Sequence, residues 1–309
     1  PASMSKLMTL ELLFQRLKDG RVKLTDTFPV SENAWRTGGS KMFVSVGSQI
    51  PVEDLIRGII IQSGNDACVV VAEALGGTVD GFVKMMNQRA KARGLKNSHF
   101  VNPDGLPDPP GQLMSAYDLA VLARHIILTY PDFYKLFGQR DFTWNKIHQM
   151  NRNPLLNTLD GADGLKTGYT KEGGYGMVGS AVQNGTRLIV GVNGLEDSED
   201  RAAAAKKLLE WGFRNFDVRT LFAAQQPVGY AKVFGGTSRS VALAASEPVE
   251  VMVQKNGSDK LIARIVYDGP VHAPVVPGQP VGVIRVWRGK DVAVETPLHA
   301  AEAVGVGST

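Results

Sequence analysis

Residues 1–20 read PASMSKLMTLELLFQRLKDG, and two patterns overlap in them. Leu7, Leu10, Phe14 and Leu17 recur at helical spacing and Gly20 stands where a C-terminal cap belongs, so the stretch predicts a helix that begins at or near Ser3. On such a helix Ser3 and Lys6 share a face, which sets an amine beside a hydroxyl. A serine is a weak nucleophile until a base takes its proton, and a lysine can be that base only when its pKa is pulled well down. The positive end of the helix dipole also favours negative charge developing on the Ser3 oxygen. This Ser-x-x-Lys occurs once in the chain. Taken alone it has an ordinary alternative, a serine N-cap followed by an exposed lysine.

Working outward, Val52 to Ile61, Asp66 to Leu75, Phe82 to Gly94 and Ala116 to Leu128 carry further helical spacing. Gly76-Gly77 closes the second of these. Asn102 to Gln112, dense in proline, aspartate and glycine, reads as a surface loop. From Tyr175 the period shortens: Tyr175 to Val182 and Thr186 to Val192 are β-like runs whose Gln183-Asn184-Gly185 connection favours a hairpin. Lys206 to Phe213 returns to helix. The simplest assembly is an α/β (α+β) lobe of helices around an antiparallel sheet.

After about Phe216 the helical signals stop. Val241 to Ala244, Val249 to Val253, Leu261 to Tyr267, Val281 to Trp287 and Val292 to Val294 alternate, punctuated by Pro270, Pro274, Pro277 and Pro280. Residues 217–309 therefore read as a small all-β, sandwich-like domain behind a domain of residues 1–216. A chain of 309 residues, 43% hydrophobic and 21% charged, is long enough for two such cores.

Charge and composition exclude several functions. The net charge is +4, with 34 Lys and Arg spread along the chain in no run that could track a phosphate backbone, so no nucleic-acid partner is expected. Apolar stretches such as Ile59 to Ile61 and Cys68 to Ala72 fall far below the roughly 18 residues that span a bilayer. One cysteine, Cys68, rules out an internal disulfide framework and a cysteine-rich metal site. His99, His125, His148, His272 and His299 are scattered outside any metal-ligand spacing, and they read as structural or surface groups. Cys68, one helical turn after Asn65, reads as a small buried apolar residue.

Two further elements give Ser3 and Lys6 company. Ser63-Gly64-Asn65, at a helix start, offers a hydroxyl that can relay a proton and an amide that can hold a carbonyl oxygen. Its ordinary use is a turn and N-cap. Lys166-Thr167-Gly168 precedes β signals; an amine and a hydroxyl on a strand edge can clamp a carboxylate, and the glycine lets a substrate backbone approach. Its ordinary use is a hairpin with a solvated lysine.

In order and combination these three elements resemble the active site of the penicillin-recognising serine enzymes. Pro1 to Thr9, Leu55-Ile-Arg-Gly58, Gln62 to Cys68, Gly94 to Asn97, Asn151-Arg-Asn153 and Lys207 to Phe213 are similar to the low-molecular-mass penicillin-binding proteins that are D-alanyl-D-alanine carboxypeptidases. The likeness is dense to about residue 216 and looser in the tail, through Val271 to Pro274 and Val281-Gly282. It implies a penicillin-binding, β-lactamase-like transpeptidase fold. It also implies removal of the terminal D-alanine from peptidoglycan stem peptides through an acyl-serine, and covalent acylation by β-lactam antibiotics. By the resemblance Ser3 is the nucleophile, Lys6 its base, and Ser63 assists the proton to the leaving group. Asn65 holds the acyl-side amide, Lys166 keeps the site electropositive, and Thr167 with Arg201 binds the terminal carboxylate beside Gly168. The N–H groups of Ser3 and Tyr169 form the oxyanion hole. No cofactor or metal is implied.

The family often has histidine where this chain has Tyr169. Family members also carry a segment ahead of the nucleophile that adds strands to the central sheet, whereas this sequence starts two residues before it, with no signal-peptide pattern; an incomplete polypeptide, and a sheet with an open edge, are expected. The resemblance further implies a periplasmic enzyme at the outer face of the cytoplasmic membrane, held there peripherally by an amphipathic helix. Ala300 to Thr309 lacks basic and aromatic faces of that kind. By analogy the β tail positions the catalytic domain relative to membrane or wall. Among rivals, a class A β-lactamase needs a glutamate between the second and third elements, where the sequence offers only Glu73 inside a predicted helix. A peptidoglycan-binding scaffold of the same fold would need no nucleophile and base, and a DD-endopeptidase would share all of the residues named.

Overall fold

The sequence from Ser3 to Lys18 folds as a 3-10 turn over Ala2–Ser5 followed by helix α1 (Lys6–Lys18). The structure, a computed structural model, describes residues 1–308. The leucine spacing suggests a one-sided helix, yet every residue from Lys6 to Phe14 is buried. A helix enclosed on all sides must find partners for its polar groups inside the protein. Glu11, with no exposed surface, accepts hydrogen bonds from Tyr130 Oη and His125 Nε2 at 3.0 Å each and pairs with Arg89 at 3.4 Å. Phe14 supplies the apolar counterpart, with the rings of Tyr130, Phe133 and Phe137 at 5.5 to 6.2 Å.

Around α1 lie α2 (Glu32–Arg36), α3 (Val52–Ile60), α4 (Asn65–Gly76), α5 (Val79–Ala92), α6 (Ala116–Thr129), α7 (Pro131–Tyr134), α8 (Leu155–Thr158) and α9 (Ser198–Asn215). Hydroxyl caps start three of them: Ser31, Thr78 and Ser115 accept from the N–H of Ala34, Gly81 and Asp118. Two strand pairs flank the helices, β1 (Thr27–Pro29) with β2 (Gln49–Pro51) and β3 (Asp141–Trp144) with β4 (Ile147–Met150).

The sheet that carries the third sequence element runs β5 (Ala162–Thr170), β6 (Gly174–Gln183), β7 (Thr186–Leu195), antiparallel and in that order. The β6–β7 connection is the expected hairpin: Gln183 faces Thr186, and Asn184 and Gly185 take φ of 49° and 77°, the two left-handed positions of a tight primed turn. Asp163 ties this sheet to the helices, accepting from Tyr134 Oη at 2.7 Å and from both terminal nitrogens of Arg187 at 2.9 Å. Strand β5 holds Lys166-Thr167-Gly168 as expected of a strand edge, but its full extent from Ala162 to Thr170 is not apparent in the sequence. Gly164 to Gly168 is buried without interruption, so no alternation marks it.

Asn102 to Gln112 departs from expectation in one half. Residues 107–111 are exposed, but Asn102, Pro103, Asp104 and Gly105 are buried. The side chains that read as loop formers make the loop compact instead. The Asn102 carboxamide oxygen accepts from the N–H of Asp104 and Gly105, and Gln112 Oε1 accepts from those of Val101 and Asn102. Thr9 Oγ1 of α1 then donates to Pro103 O at 2.6 Å.

The chain divides into two compact units, Pro1–Gly212 and a second from Phe213 onward. The second holds β8 (Phe216–Phe222), β9 (Pro227–Phe234), β10 (Ser240–Ala244), β11 (Val249–Gln254), β12 (Leu261–Tyr267), β13 (Val271–His272), β14 (Pro280–Arg288) and β15 (Asp291–Ala300). One sheet has the order β12-β14-β15-β10-β9-β13, and β8 pairs with β11. Leu221, Phe222 and Val249 from the pair share a core with Val241, Leu243, Ile284 and Val286, which makes the unit sandwich-like. Strands β8, β9 and β13 add to the five expected runs.

Because Glu11 is buried with three donors, replacing it leaves Arg89 and His125 facing an apolar gap. Glu11→Ala is expected to lower the stability of the first unit by about 3 kcal/mol, seen as a clear drop in its thermal unfolding midpoint; an unchanged midpoint would show that the network contributes nothing.

Candidate active site

Ser3 lies in the 3-10 turn and Lys6 opens α1, so the amine and hydroxyl meet across less than one turn. Lys6 Nζ stands 2.6 Å from Ser3 Oγ and donates to the carbonyl of Asp104 at 2.7 Å. Lys6 has no exposed surface. Burial lowers its pKa first, and the positive charge of Arg152 pushes the same way, against the nearby Asp104 and Asp66 carboxyls. The Asp104 carboxyl is itself pushed up by burial.

The turn that presents Ser3 is strained and tightly enclosed. Ala2 takes φ of 53°, a left-handed conformation that costs a residue with a Cβ about 1 kcal/mol. Gly105, at φ 91°, approaches so closely that a Cβ there would lie 1.9 Å from Ala2 O and 3.0 Å from Ser3 N. Gly168 on β5 closes from another side: its Cβ would lie 2.8 Å from Pro1 O and 3.1 Å from Ser3 N. Opposite it in the sheet, Gly176 packs on Met4 in the same way.

Ser63 precedes α4, also in a left-handed conformation with φ of 53°, and is 1% exposed. Lys166, from β5, donates to Ser63 Oγ at 2.9 Å and to Thr167 O at 3.1 Å. Its pKa is driven well below normal by burial and then by the charges of Lys6, Arg152 and Arg201. The site thus contains two serine–lysine pairs, and the charge of Lys6 acts against protonation of Lys166. Cys68 lies in their field; burial pushes its thiol up to about 12, so it stays protonated and unreactive.

Asn65, the first residue of α4, donates from Nδ2 to Gly38 O at 2.8 Å and leaves its buried Oδ1 without a partner. The next residue, Asp66, accepts from the N–H of Met42, Phe43, Val44 and Ala67 at 2.8 to 3.1 Å, fixing the 42–44 segment against the helix start. Ser40 links that segment to Arg152, which donates to its hydroxyl at 2.8 Å. Thr167 is buried beside Lys166, while the Tyr169 side chain is half-exposed and stacks on Tyr175 with centroids 4.1 Å apart. Arg201, in α9, sets its guanidinium carbon 5.4 Å from the Tyr175 ring centre. Its Nε is buried without a partner.

Four groups here were not assigned a part in the sequence reading: the Asp104 carbonyl, Asp66, Arg152 and Tyr175. Arg152 and Asp66 stand within stretches that carried the family likeness, so proximity to known elements was a usable signal. A backbone carbonyl has no sequence signature. Glu73 bonds to Asn33 on the outer part of α4.

Residues 1–196 match the profile of D-alanyl-D-alanine carboxypeptidases, and residues 216–306 that of the C-terminal domain of penicillin-binding protein 5. The chain belongs to the D-alanyl-D-alanine carboxypeptidase family. The family consists of serine hydrolases, so this chain is one. It is 40% identical over 301 residues to D-alanyl-D-alanine carboxypeptidase DacA of Haemophilus influenzae, covering 95% of this chain and 76% of that protein. The crystal structure of penicillin-binding protein 5 from the same organism superposes with a TM-score of 0.84 at 38% identity, covering 99% and 90% of the two chains. Penicillin-binding protein D2 from Listeria monocytogenes, solved in an ampicillin-bound form, gives a TM-score of 0.63 at 30% identity over 69% of this chain and 86% of that one.

The space at Gly105 sets a direct test. Gly105→Ala is expected to displace the Ser3 turn and to cut D-alanine release by on the order of a hundredfold, with the far-ultraviolet circular dichroism of the folded protein retained. Undiminished turnover would mean that the turn tolerates the shift.

Proposed function

We propose that this protein removes the terminal D-alanine of a peptidoglycan stem peptide through an acyl-Ser3 intermediate, and that β-lactams acylate the same oxygen. The observation that carries this reading is the fully buried Lys6 amine, 2.6 Å from Ser3 Oγ and depressed in pKa. In its neutral form Lys6 keeps a hydrogen bond to Asp104 O and turns its lone pair to the Ser3 hydroxyl. As Ser3 Oγ attacks the penultimate D-alanine carbonyl, its proton passes to Lys6 Nζ. The carbonyl oxygen becomes an oxyanion held by the N–H groups of Ser3 and Tyr169, the two main-chain stretches that Gly168 brings into contact.

Collapse of the tetrahedral intermediate breaks the C–N bond. The leaving nitrogen takes a proton from Ser63, to which Lys6 passes on the proton it took from Ser3, while Lys166 stays hydrogen-bonded to Ser63 Oγ, and D-alanine departs as the amine. Water then attacks the ester; Lys6 accepts its proton and returns one to Ser3 Oγ, releasing the shortened peptide. Asn65 Oδ1 accepts the N–H of the acyl-side amide. Thr167 and Arg201 hold the terminal carboxylate in a region that Lys166, Arg152 and Arg201 keep electropositive.

Residues 1–216 are the catalytic domain in this proposal and residues 217–309 a separate β domain. The proposal places the enzyme in the periplasm, at the outer face of the cytoplasmic membrane and peripherally associated with it. Family resemblance supports both placements. No helix among the described residues is long and apolar enough to cross a membrane.

Intact mass after incubation with a labelled penicillin is expected to show one adduct that Ser3→Ala abolishes; no adduct, or one that survives that change, overturns the proposal. The rate of acylation is expected to rise with pH through the lowered pKa of Lys6. Arg152 lowers that pKa as a like charge, so Arg152→Gln raises it and moves the acid limb of the pH–rate profile to higher pH. A limb that stays in place, or moves to lower pH, would exclude Arg152 from the field at Lys6.

A further inference from the structure

Tyr169 and Tyr175 face each other directly across β5 and β6, so their side chains leave the sheet on one face. Their rings stack with centroids 4.1 Å apart and planes 28° from parallel. Tyr169 follows Gly168, the residue packed on Ser3 N, so the stack begins one residue from the nucleophile's surroundings. Beside Tyr175 the β6–β7 register shifts, between Tyr175 opposite Leu195 and Met177 opposite Val192, and such an irregularity re-aims a side chain. The Arg201 guanidinium lies over the Tyr175 ring at 5.4 Å, with a buried, unpartnered Nε.

A long arginine side chain carries rotamer entropy, which binding must overcome unless the unliganded protein already holds it in place. Arg201 has a cation–π contact that does so. We propose that Tyr175, backed by the stacked Tyr169, is a positioning residue that holds the Arg201 guanidinium ready for the carboxylate ending the substrate. This rests on the reading that Arg201 binds that carboxylate. Tyr169 thereby gains a part: its ring keeps Tyr175 from swinging away. Neither ring touches the reacting atoms.

The test compares kcat/KM for an acylated peptide ending in D-Ala-D-Ala with that for the same peptide ending in a carboxamide, in the full chain. The unaltered protein is expected to prefer the carboxylate. Tyr175→Leu is expected to shrink that preference about tenfold, mainly through KM, the size of a desolvated cation–π contact. Tyr175→Phe keeps the ring face and is expected to retain the preference. Tyr169→Ala, at an exposed position that covers the case of a poorly folded Tyr175→Leu, is expected to shrink the preference about threefold. If the preference persists in both Tyr175→Leu and Tyr169→Ala, or if the two peptides lose rate equally, the inference falls while the carboxypeptidase reading stands. Lack of any preference in the unaltered protein would remove the carboxylate assignment itself, and the inference with it.

Discussion

The buried amine of Lys6 organises the catalytic unit, because an ammonium group with no exposed surface must be either matched or neutral. Two oxygens lie within hydrogen-bonding distance, Ser3 Oγ and Asp104 O, and each makes a demand on a different part of the chain. The first requires the 3-10 turn ahead of α1, with Ala2 forced to a left-handed conformation. The second requires the Asn102–Gln112 segment to fold inward rather than project into water. Glycines at 105 and 168 then become necessary, since any side chain would strike the turn that carries Ser3.

A second lysine–serine pair, Lys166 with Ser63, sits close enough for the charge of Lys6 to lower the affinity of Lys166 for protons. The arrangement favours chemistry in which a proton enters on one serine and leaves from another. Burial supplies most of the shift in both lysines, and like charge adds to it. Cys68 lies in the same field but responds in the opposite direction, because burial penalises a thiolate as it penalises an ammonium.

Much of this was legible in the sequence. Five long helices, α1 and α3 to α6, announced themselves by period and cap, while the short α2, α7 and α8 did not and α9 begins at Ser198, eight residues before the expected Lys206. The Asn184-Gly185 hairpin was legible by turn chemistry, and Ser3, Lys6, Ser63, Asn65 and Lys166 by their order and by the stretches around them. Three things were hidden, each for a physical reason. The extent of strand β5 beyond Lys166-Thr167-Gly168 was one, because Gly164 to Gly168 is continuously buried and lacks the alternation by which a half-exposed strand is recognised. Residues 102–105 have loop composition, yet their side chains bond to their own backbone and allow burial, which composition cannot report. The burial of Glu11 depends on His125, Tyr130 and Arg89, far away in the chain and brought near only by packing.

Asp66 follows Asn65 directly, and its carboxylate receives the N–H groups of Met42, Phe43, Val44 and Ala67. One side chain thus grips a rim built from a distant stretch. Beyond Val44 the chain is held by a different tie: Val30 N–H donates to Ser48 O and Gly47 N–H donates to Val30 O, both at 2.9 Å. A slip of one residue within 42–44 would drag Ser40 and Gly38 away from Asn65. The stretch is thus fastened at two points, by Asp66 at 42–44 and by Val30 at 47–48, and the register at the first decides where the amide at position 65 finds its partners.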